Sequence, residues 1–535
     1  MNRILIRYVG PLWALLVVLT GCMQSATARA PQSSNAAIDR DLSEVSITQL
    51  QSLYREGKYT VAQVTQWHLN RIARYDNVYK SFLYVDSAGA LAAAAAADSA
   101  KRSTGSRFSP GALWGVPIVV KGNTSVKGLV TINGWEGYLI RGNELRAPAD
   151  ATIVAKLKAA GAVILGHTNL PDFASADTTI SSAGGRTGNA YNWRYSPGGS
   201  SGGTATAVAA DFAVFGTGTD TSNSIRLPSG ASALVGVLPT RGLVSINGIH
   251  PLDWLLDNTG PMARTVTDAA IALTVMTGED AKDFRTRGSS ERAQPAPYTQ
   301  YLKKEALRGK RFGVPAFILN HPSLRPETRA LFLKAIDALR SAGATVVSDE
   351  AILPASFEDL TEAINTRPYL REGLERFLQD FGPTQYRSTA EYARAVGTPI
   401  PLFFVDAPLR NPETDPSAEA AFFGPQRRAL AAYQDTLERF RLDGYVYPAL
   451  QMPPNDETIP QPGGGQSQGP HSQTGWTNPI GVPAVAVPGG FYSNGLPFGL
   501  EFSARPWKDG DLLGWAYAYE QATQYRKPPV LTDRN

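Results

Sequence analysis

The spacing of apolar and polar residues predicts helices at the start of the globular part of the chain. Patterning begins at about residue 41, and apolar side chains then recur at helical spacing over 47–54 and 61–73. The alanine-rich stretch 91–97 continues the helical pattern, because alanine is the best helix former. We interpret these segments as packing elements without chemistry of their own.

Short, uninterrupted apolar runs follow and alternate with helical stretches. Residues 117–120 and 162–165 are predicted to be buried strands, with a helix over 153–160 between them. A helix over 204–210 and a strand over 212–215 repeat this order. Strand, helix and strand in succession predict an α/β fold, with a mainly parallel mixed sheet covered by helices on both faces.

The second half of the chain differs in composition. Residues from about 280 to 442 are more charged and more helical, which predicts a helical insertion attached to the sheet domain. A Pro/Gly/Gln-rich run at 460–471 predicts a loop, and strand-like composition returns at 482–487.

The overall composition is that of a globular enzyme. Hydrophobic residues make up 43% and charged residues 18% of 535, which excludes a disordered or fibrous chain. The formal net charge of +4 is small and no long Lys/Arg run is present, so we expect no nucleic-acid partner.

The N-terminal residues carry export signals. An apolar run at 8–19 follows two arginines and is too short for a comfortable membrane span. The sequence LTGC at 19–22 resembles the bacterial lipobox, which predicts a lipoprotein signal peptide over 1–21 and a lipid on Cys22. Cys22 is the only cysteine, so the alternative of a plain cleaved leader would leave a free thiol in an oxidising compartment.

A lipid on Cys22 predicts a protein anchored to a membrane of the bacterial cell envelope. Acyl chains contribute about 0.8 kcal/mol per buried methylene, so several chains hold firmly. Met23 follows instead of Asp, and by resemblance to sorted lipoproteins this favours the outer membrane, with the protein facing the periplasm. The small, polar residues of 22–40 predict a flexible tether, and the catalytic domain is expected over 41–535.

Two polar segments are candidates for chemistry. SPGGSSGG at 196–203 allows backbone conformations closed to other residues and leads into a helix start with free N–H groups. Its alternative is a Gly/Ser-rich surface linker. The second segment places Ser224 just past a strand end, where the backbone N–H groups of Thr221, Ser222 and Asn223 can form a nest for a developing oxyanion.

Lys121 is the candidate base for such a nucleophile. It ends a buried strand, where desolvation can lower the lysine pKa from its usual value of about 10.4. Taken alone, such a lysine is more often a solvated edge residue, and Lys127 keeps that interpretation. The five histidines fit no metal-ligand pattern and the acidic residues form no paired motif, so we expect neither a metal nor a cofactor.

Taken together, these segments resemble the amidase signature family. GVPIVVKGN at 115–123, PGGSSGG at 197–203 and GTDTSNSIR at 218–226 occur in the family's order and spacing, within a signature core of about 111–245. Further stretches match at 166–174, 235–242, 481–488 and 495–500, so the resemblance covers about 43–528.

The resemblance implies a Ser-Ser-Lys triad and hydrolysis of carboxamide bonds. Ser224 matches the nucleophile that forms an acyl-enzyme, and Ser200 matches the bridging serine, whose preceding peptide bond is cis. Lys121 matches the base that draws the proton through Ser200 and returns it to the leaving amine, while Ser201 supports the loop. Small amides or peptide amides are the implied substrates.

The chain departs from the family pattern at two places. Ser222-Asn223 stands where the family has Gly-Gly, so two close-approach positions carry side chains. Asn tolerates left-handed backbone, which would keep the oxyanion nest at Asn223 but narrow the pocket. Gly122 replaces an acidic residue common after the family lysine, which concerns local hydrogen bonding and not the triad.

Two other functions remain open. The glutaminase subunit of the tRNA-dependent amidotransferase shares these motifs, but the leader peptide argues against it, because that complex and its tRNA stay in the cytoplasm. The residues Ser222 and Asn223 also allow a catalytically impaired, substrate-binding lipoprotein.

Lipidation at Cys22 is directly testable. Bacteria that produce the protein and are grown with labelled palmitate should incorporate the label, because the acyl chains are attached to this thiol. The Cys22→Ala variant should remain unlabelled in the same gel. Absence of label on the wild type, or label that survives the substitution, would contradict the assignment.

Overall fold

The computed structural model describes residues 32–402, 405–461 and 467–533. The predictions for the signal peptide and Cys22 lie outside these ranges. The chain divides into two compact units, with the boundary between Ser43 and Glu44. The described part of the first unit holds helix α1, Gln32–Leu42, within the segment predicted as a tether. Two alanines and the absence of glycine or proline within this stretch favour a helix.

The second unit is built on one large sheet. Its strands and one small hairpin, β4–β5, are β1 Phe82–Val85, β2 Pro117–Lys121, β3 Val163–Thr168, β4 Ile180–Ser181, β5 Gly185–Arg186, β6 Phe215–Asp220, β7 Val235–Leu238, β8 Asn258–Ala263, β9 Arg311–Val314, β10 Thr345–Ser348, β11 Gly444–Pro448, β12 Ala484–Phe491 and β13 Pro497–Ala504. The 11 strands of the large sheet lie in the order β1-β3-β2-β6-β8-β7-β12-β13-β11-β9-β10.

Helices flank this sheet. They are α2 Ile47–Arg55, α3 Val61–Tyr79, α4 Ser87–Thr104, α5 Thr152–Ala159, α6 Gly202–Ala209, α7 Arg226–Gly230, α8 Val266–Met276, α9 Ser289–Arg292, α10 Ala316–Leu319, α11 Pro326–Ser341, α12 Ala355–Glu362, α13 Leu370–Phe381, α14 Thr389–Val396, α15 Gly424–Arg439, α16 Thr477–Ile480 and α17 Asp509–Thr523. The predicted α/β fold with a large mixed sheet between helices is confirmed. None of the described helices is both long and apolar enough to cross a bilayer.

The parallel strands in the first half of the sheet position the candidate site. β2 runs parallel to both β3 and β6. Every residue of β2 is buried, as expected of a strand rich in Val and Ile inside a covered sheet. Because β2 and β6 run in the same direction, their last residues, Lys121 and Asp220, lie at the same edge of the sheet.

The strand predicted at 212–215 is displaced. It begins at Phe215 and runs to Asp220 through a stretch of Gly and Thr that hydrophobic patterning does not detect. Gly216 is required by packing, since a Cβ there would lie 2.6 Å from Thr204 Cγ2 and 2.8 Å from Val119 Cγ2. The glycine at 216 therefore reflects the close approach of α6 and β2.

The segment predicted as a helical insertion is not purely helical. Residues 280–442 contain helices α9 to α15, but also β9 and β10, which pair in parallel at one edge of the large sheet. These strands have four residues each and carry Arg, Thr or Ser beside few apolar residues, so they do not stand out in a charged, helical region. The segment is thus in part a continuation of the sheet.

Candidate active site

Lys121 is fully buried at the end of β2. Its Nζ donates to Ser200 Oγ at 2.6 Å and to Thr219 Oγ1 at 2.9 Å. Burial lowers the pKa of Lys121 to about 7, against the opposing attraction of the Asp220 and Asp257 carboxylates. A neutral amine, which can accept a proton, is therefore well populated near neutral pH.

The Gly/Ser-rich segment 196–203 is packed inside the protein. All eight residues are buried, so the alternative of a surface linker is wrong. The peptide bond between Gly199 and Ser200 is cis. A Cβ on Gly199 would lie 2.4 Å from the Thr178 carbonyl oxygen, and one on Gly203 would lie 2.3 Å from the Asn169 carbonyl oxygen. Glycine at these positions lets the loop press against the core and present Ser200 to Lys121.

Ser224 lies beside this loop. The backbone N–H of Ser201 donates to the Ser224 carbonyl oxygen at 3.1 Å. Ser224 is 6% exposed, so its side chain is close to the surface of the core without being open to bulk solvent. Lys121 contacts the Ser200 side chain directly. The backbone of Ser224 contacts Ser201, the residue that follows Ser200.

Each of the three residues predicted for the oxyanion hole makes a hydrogen bond to a different neighbouring residue. Thr221 Oγ1 donates to an Asp257 carboxylate oxygen, and the Ser222 carbonyl oxygen accepts from the Arg226 guanidinium. Asn223 Nδ2 donates to Asp177 Oδ2 at 3.1 Å. The side chains of Thr221 and Asn223 and the carbonyl oxygen of Ser222 are therefore occupied in hydrogen bonds to neighbouring residues.

The two departures from Gly-Gly are accommodated without left-handed backbone. Ser222 and Asn223 are not among the described non-glycine residues with positive φ, so the expectation that Asn223 is tolerated for that reason does not apply. Space is provided elsewhere, because a Cβ on Gly475 would lie 2.5 Å from Ser222 Oγ. Gly475 thus makes room for the serine, a role that the sequence did not reveal.

Arg226 is a further residue of the site that sequence reasoning did not single out. Its guanidinium is completely buried, with Nε 3.2 Å from Asp220 Oδ2 and Nη1 2.8 Å from Glu501 Oε2. Burial disfavours the cation, but the Asp220 and Glu501 carboxylates outweigh it and raise the pKa of Arg226 above its usual range. The one indication of its importance in the sequence is that Arg226 ends the segment 218–226, which resembles the family pattern.

The same guanidinium fixes the C-terminal part of the chain to the turn. Arg226 Nη1 donates to the Thr474 carbonyl oxygen at 3.1 Å, and Nη2 donates to Asn478 Oδ1 at 3.0 Å. Asn478 Nδ2 in turn donates to the Asp220 carbonyl oxygen at 2.9 Å. Residues far apart in sequence therefore hold the loop that carries Ser224.

The histidines take no part in this arrangement. His250 is buried between the Asn133 amide and the Tyr138 hydroxyl, and burial lowers its pKa to about 3. His167 contacts the Thr124 carbonyl oxygen, and burial lowers its pKa to about 4. Within the described ranges, no three or more His, Cys, Asp or Glu side chains are grouped so as to hold a metal ion.

Comparison with known families agrees with this architecture. The sequence model of the family described as Amidase matches residues 63–513, which include both polar segments and β2. The chain belongs to the amidase signature family. The family is one of hydrolases that act on carbon–nitrogen bonds, and the matched residues include Lys121, Ser200 and Ser224.

Relatives of two kinds are found. One is a glutamyl-tRNA(Gln) amidotransferase subunit of Acinetobacter baumannii, which is 32% identical over 92% of this chain and 99% of its own length. The native peptide amidase of Stenotrophomonas maltophilia has a similar structure, with a TM-score of 0.78 and 31% identity over 91% of this chain and 99% of that chain. The corresponding amidotransferase subunit of Thermotoga maritima superposes with a TM-score of 0.68 at 26% identity, over 92% and 99% of the two chains.

The Arg226 network predicts a large loss of stability when the cation is removed. Arg226→Met leaves the Asp220 and Glu501 carboxylates buried and unpaired, which should cost about 3–5 kcal/mol in the free energy of unfolding. Urea unfolding followed by tryptophan fluorescence measures this. Arg340→Met is the control, since its ion pair with Asp337 is exposed and worth about 1 kcal/mol or less. Equal unfolding midpoints for the two variants would contradict the role of Arg226.

Proposed function

We propose that the chain is an exported amidohydrolase that cleaves small carboxamides, among them peptide amides, through an acyl-enzyme. The observation that carries this proposal is the contact of 2.6 Å between the buried Lys121 amine and the Ser200 hydroxyl, beside Ser224. The lowered pKa of Lys121 supports its role as a base. The likeness to a peptide amidase supports the substrate class.

In the proposed reaction, Ser224 Oγ attacks the carbonyl carbon of the amide. Its proton passes to Ser200, whose own proton passes to the Lys121 amine. Negative charge develops on the carbonyl oxygen of the substrate. This oxygen accepts hydrogen bonds from the backbone N–H groups of Thr221, Ser222 and Asn223. One such donor typically contributes about 3–4 kcal/mol to stabilisation of the transition state.

Collapse of the tetrahedral intermediate breaks the carbon–nitrogen bond. The proton held by Lys121 returns through Ser200 to the nitrogen, so the amine leaves neutral and an ester on Ser224 remains. Water then attacks this ester with the same relay as base. The products are a carboxylic acid and the amine, and the three side chains regain their starting protonation states.

The side chains at 222 and 223 are compatible with this mechanism. Ser222 Oγ is directed towards Gly475, and Asn223 Nδ2 donates to Asp177, so neither side chain occupies a backbone N–H of the proposed oxyanion hole. This arrangement counts against the alternative of a catalytically impaired binding protein, which rested on these two residues.

We further propose that the enzyme is attached by a lipid on Cys22 to the cell envelope, facing the periplasm at the outer membrane. Support comes from the leader and lipobox of residues 1–22 and from the identity of Met23. The substrate would then be met outside the cytoplasm.

A second function is favoured by a specific observation. Relatives at 32% identity are named as a component of glutamyl-tRNA(Gln) amidotransferase, which would make the chain a glutaminase subunit. Export argues against this, since the partner subunits and tRNA stay in the cytoplasm. Copurification of the chain with partner subunits and tRNA would favour the second function over the first.

Covalent labelling tests the proposed nucleophile. A fluorophosphonate probe should label the wild-type protein and fail to label Ser224→Ala, because the reacting oxygen is removed. Lys121→Ala should be labelled about 100-fold more slowly or worse, the usual range for loss of a general base.

Matched controls are Ser175→Ala and Lys127→Ala, which change an exposed serine and an exposed lysine near the site and should react as the wild type. A well-folded wild type that does not react would instead support a binding protein. Full labelling of Ser224→Ala would refute the assignment of the nucleophile.

The pH dependence tests the base. Lys121 must be neutral to accept a proton, and its pKa of about 7 predicts that kcat/KM is low in acid and rises through neutrality. At one pH unit below the pKa, about a tenth of the plateau value should remain. Rates for a peptide amide measured from pH 5 to 9 check this, and a profile that rises only near pH 10 would contradict a desolvated lysine.

A further inference from the structure

A cavity of about 420 Å³ lies apart from the proposed catalytic residues. Its walls come from the loop after β7, the loop around α9, the start of α15 and the turn that follows α16. The cavity is of the size that small-molecule sites usually have. Five arginines line it: Arg241, Arg285, Arg287, Arg292 and Arg427. Among the described residues, no carboxylate contributes to the lining.

Arg241 is the unusual member of this group. Nε and Nη2 of its guanidinium are enclosed by protein and have no hydrogen-bond partner among the residues that the structure describes. The side chain lies along Gly481, where a Cβ would come within 3.7 Å of Arg241 Cζ. Enclosed donors of a charged group are costly when unpaired, and these two nitrogens leave the positive charge of Arg241 without a direct partner among the described residues.

The nearby carboxylates do not fill that role. Asp253 accepts from the Thr366 hydroxyl and Asp257 accepts from the Thr221 hydroxyl, and both also accept from backbone N–H groups. Burial, together with Arg285, lowers the pKa of Arg241 to about 10 in spite of these two carboxylates. The group therefore stays charged at neutral pH.

The other four arginines are each engaged outside the cavity. Arg285 pairs with Asp283 at 2.6 Å, and Arg287 lies 3.7 Å from Glu413. Arg427 pairs with Glu419, and Arg292 donates to the Gly288 carbonyl oxygen at 3.0 Å. Three of these partners are carboxylates, which offset the charge of Arg285, Arg287 and Arg427. Arg241 and Arg292 have no carboxylate partner among the described residues and supply the positive charge that favours an anion in the cavity.

The remaining wall is aromatic. Phe284, Phe423 and Trp507 line the cavity, and the Arg292 guanidinium lies 4.3 Å from the centroid of the Trp507 ring. A stacked guanidinium retains its in-plane N–H donors for an anion. Aromatic walls beside such donors suit a ligand with an apolar or planar body and one charged end.

We propose that this cavity binds a small organic anion, in which a carboxylate or phosphate monoester pairs with the guanidinium groups that line it, Arg241 among them, and an aromatic or apolar body packs against the aromatic wall. Arginine is suited to both head groups because its planar fork matches their paired oxygens. The proposal does not depend on the proposed amidase activity, since Lys121, Ser200 and Ser224 do not line the cavity.

Titration calorimetry on the full-length protein tests this binding. Benzoate and phenyl phosphate are the probes for the carboxylate and the phosphate head group. Benzyl alcohol, which lacks the charge, and inorganic phosphate, which lacks the aromatic body, are the controls. We expect one equivalent of benzoate or phenyl phosphate to bind, at least about tenfold more tightly than benzyl alcohol or inorganic phosphate. The stronger of the two anions identifies the head group.

Two variants locate the site. Arg241→Gln should weaken anion binding at least about tenfold without lowering the thermal unfolding midpoint, because it removes an enclosed charge that has no direct partner. Leu430→Glu places a carboxylate on the cavity wall and should also abolish binding. Arg340→Gln, on α11 and outside the cavity, is the matched control and should bind as the wild type.

The titration is then repeated on protein already labelled with fluorophosphonate. Binding of the anion should persist, because the cavity is separate from the proposed nucleophile Ser224. Loss of binding after labelling, equal binding of benzyl alcohol, or unchanged binding in both cavity variants would overturn the proposal. The outcomes on unlabelled protein are independent of whether the protein hydrolyses amides.

Discussion

The candidate site depends on one buried cation, Arg226. Its guanidinium joins Asp220 at the end of β6, Glu501 in β13 and Asn478 in α16, three parts of the chain that are distant in sequence. Burial of two carboxylates without this partner would be strongly unfavourable. The turn that carries Ser224 therefore takes up its conformation only when β13 and α16 have packed against it. The site forms only after the C-terminal part of the sheet has folded.

Two cations at the same sheet edge illustrate opposite electrostatic outcomes. Arg226 is in direct contact with two carboxylates, and its pKa is raised. Lys121 is equally buried, but its Nζ contacts hydroxyl groups, and its pKa falls to about 7. A buried cation that contacts carboxylates stays charged and stabilises the structure. A buried cation that contacts hydroxyl groups can exchange a proton near neutral pH.

Local patterns predict the elements on which the site is built, and miss those that depend on long-range packing. The valine-rich run of β2 and the position of Lys121 at its end are readable because both are local in sequence. The prediction for β6 is displaced because its Gly and Thr are explained by neighbours that the pattern does not contain, such as Thr204. Likewise Glu501 gives no signal, since its partner lies 275 positions away.

The close approach of Ser222 to Gly475 restricts how this chain can diverge. A Cβ at 475 would lie 2.5 Å from Ser222 Oγ, which is the end of a side chain that can rotate about one bond. Alanine at 475 therefore obliges the hydroxyl at 222 to take another rotamer. The two positions are coupled through the rotamer of one side chain, so a replacement at either one changes the choices open to the other.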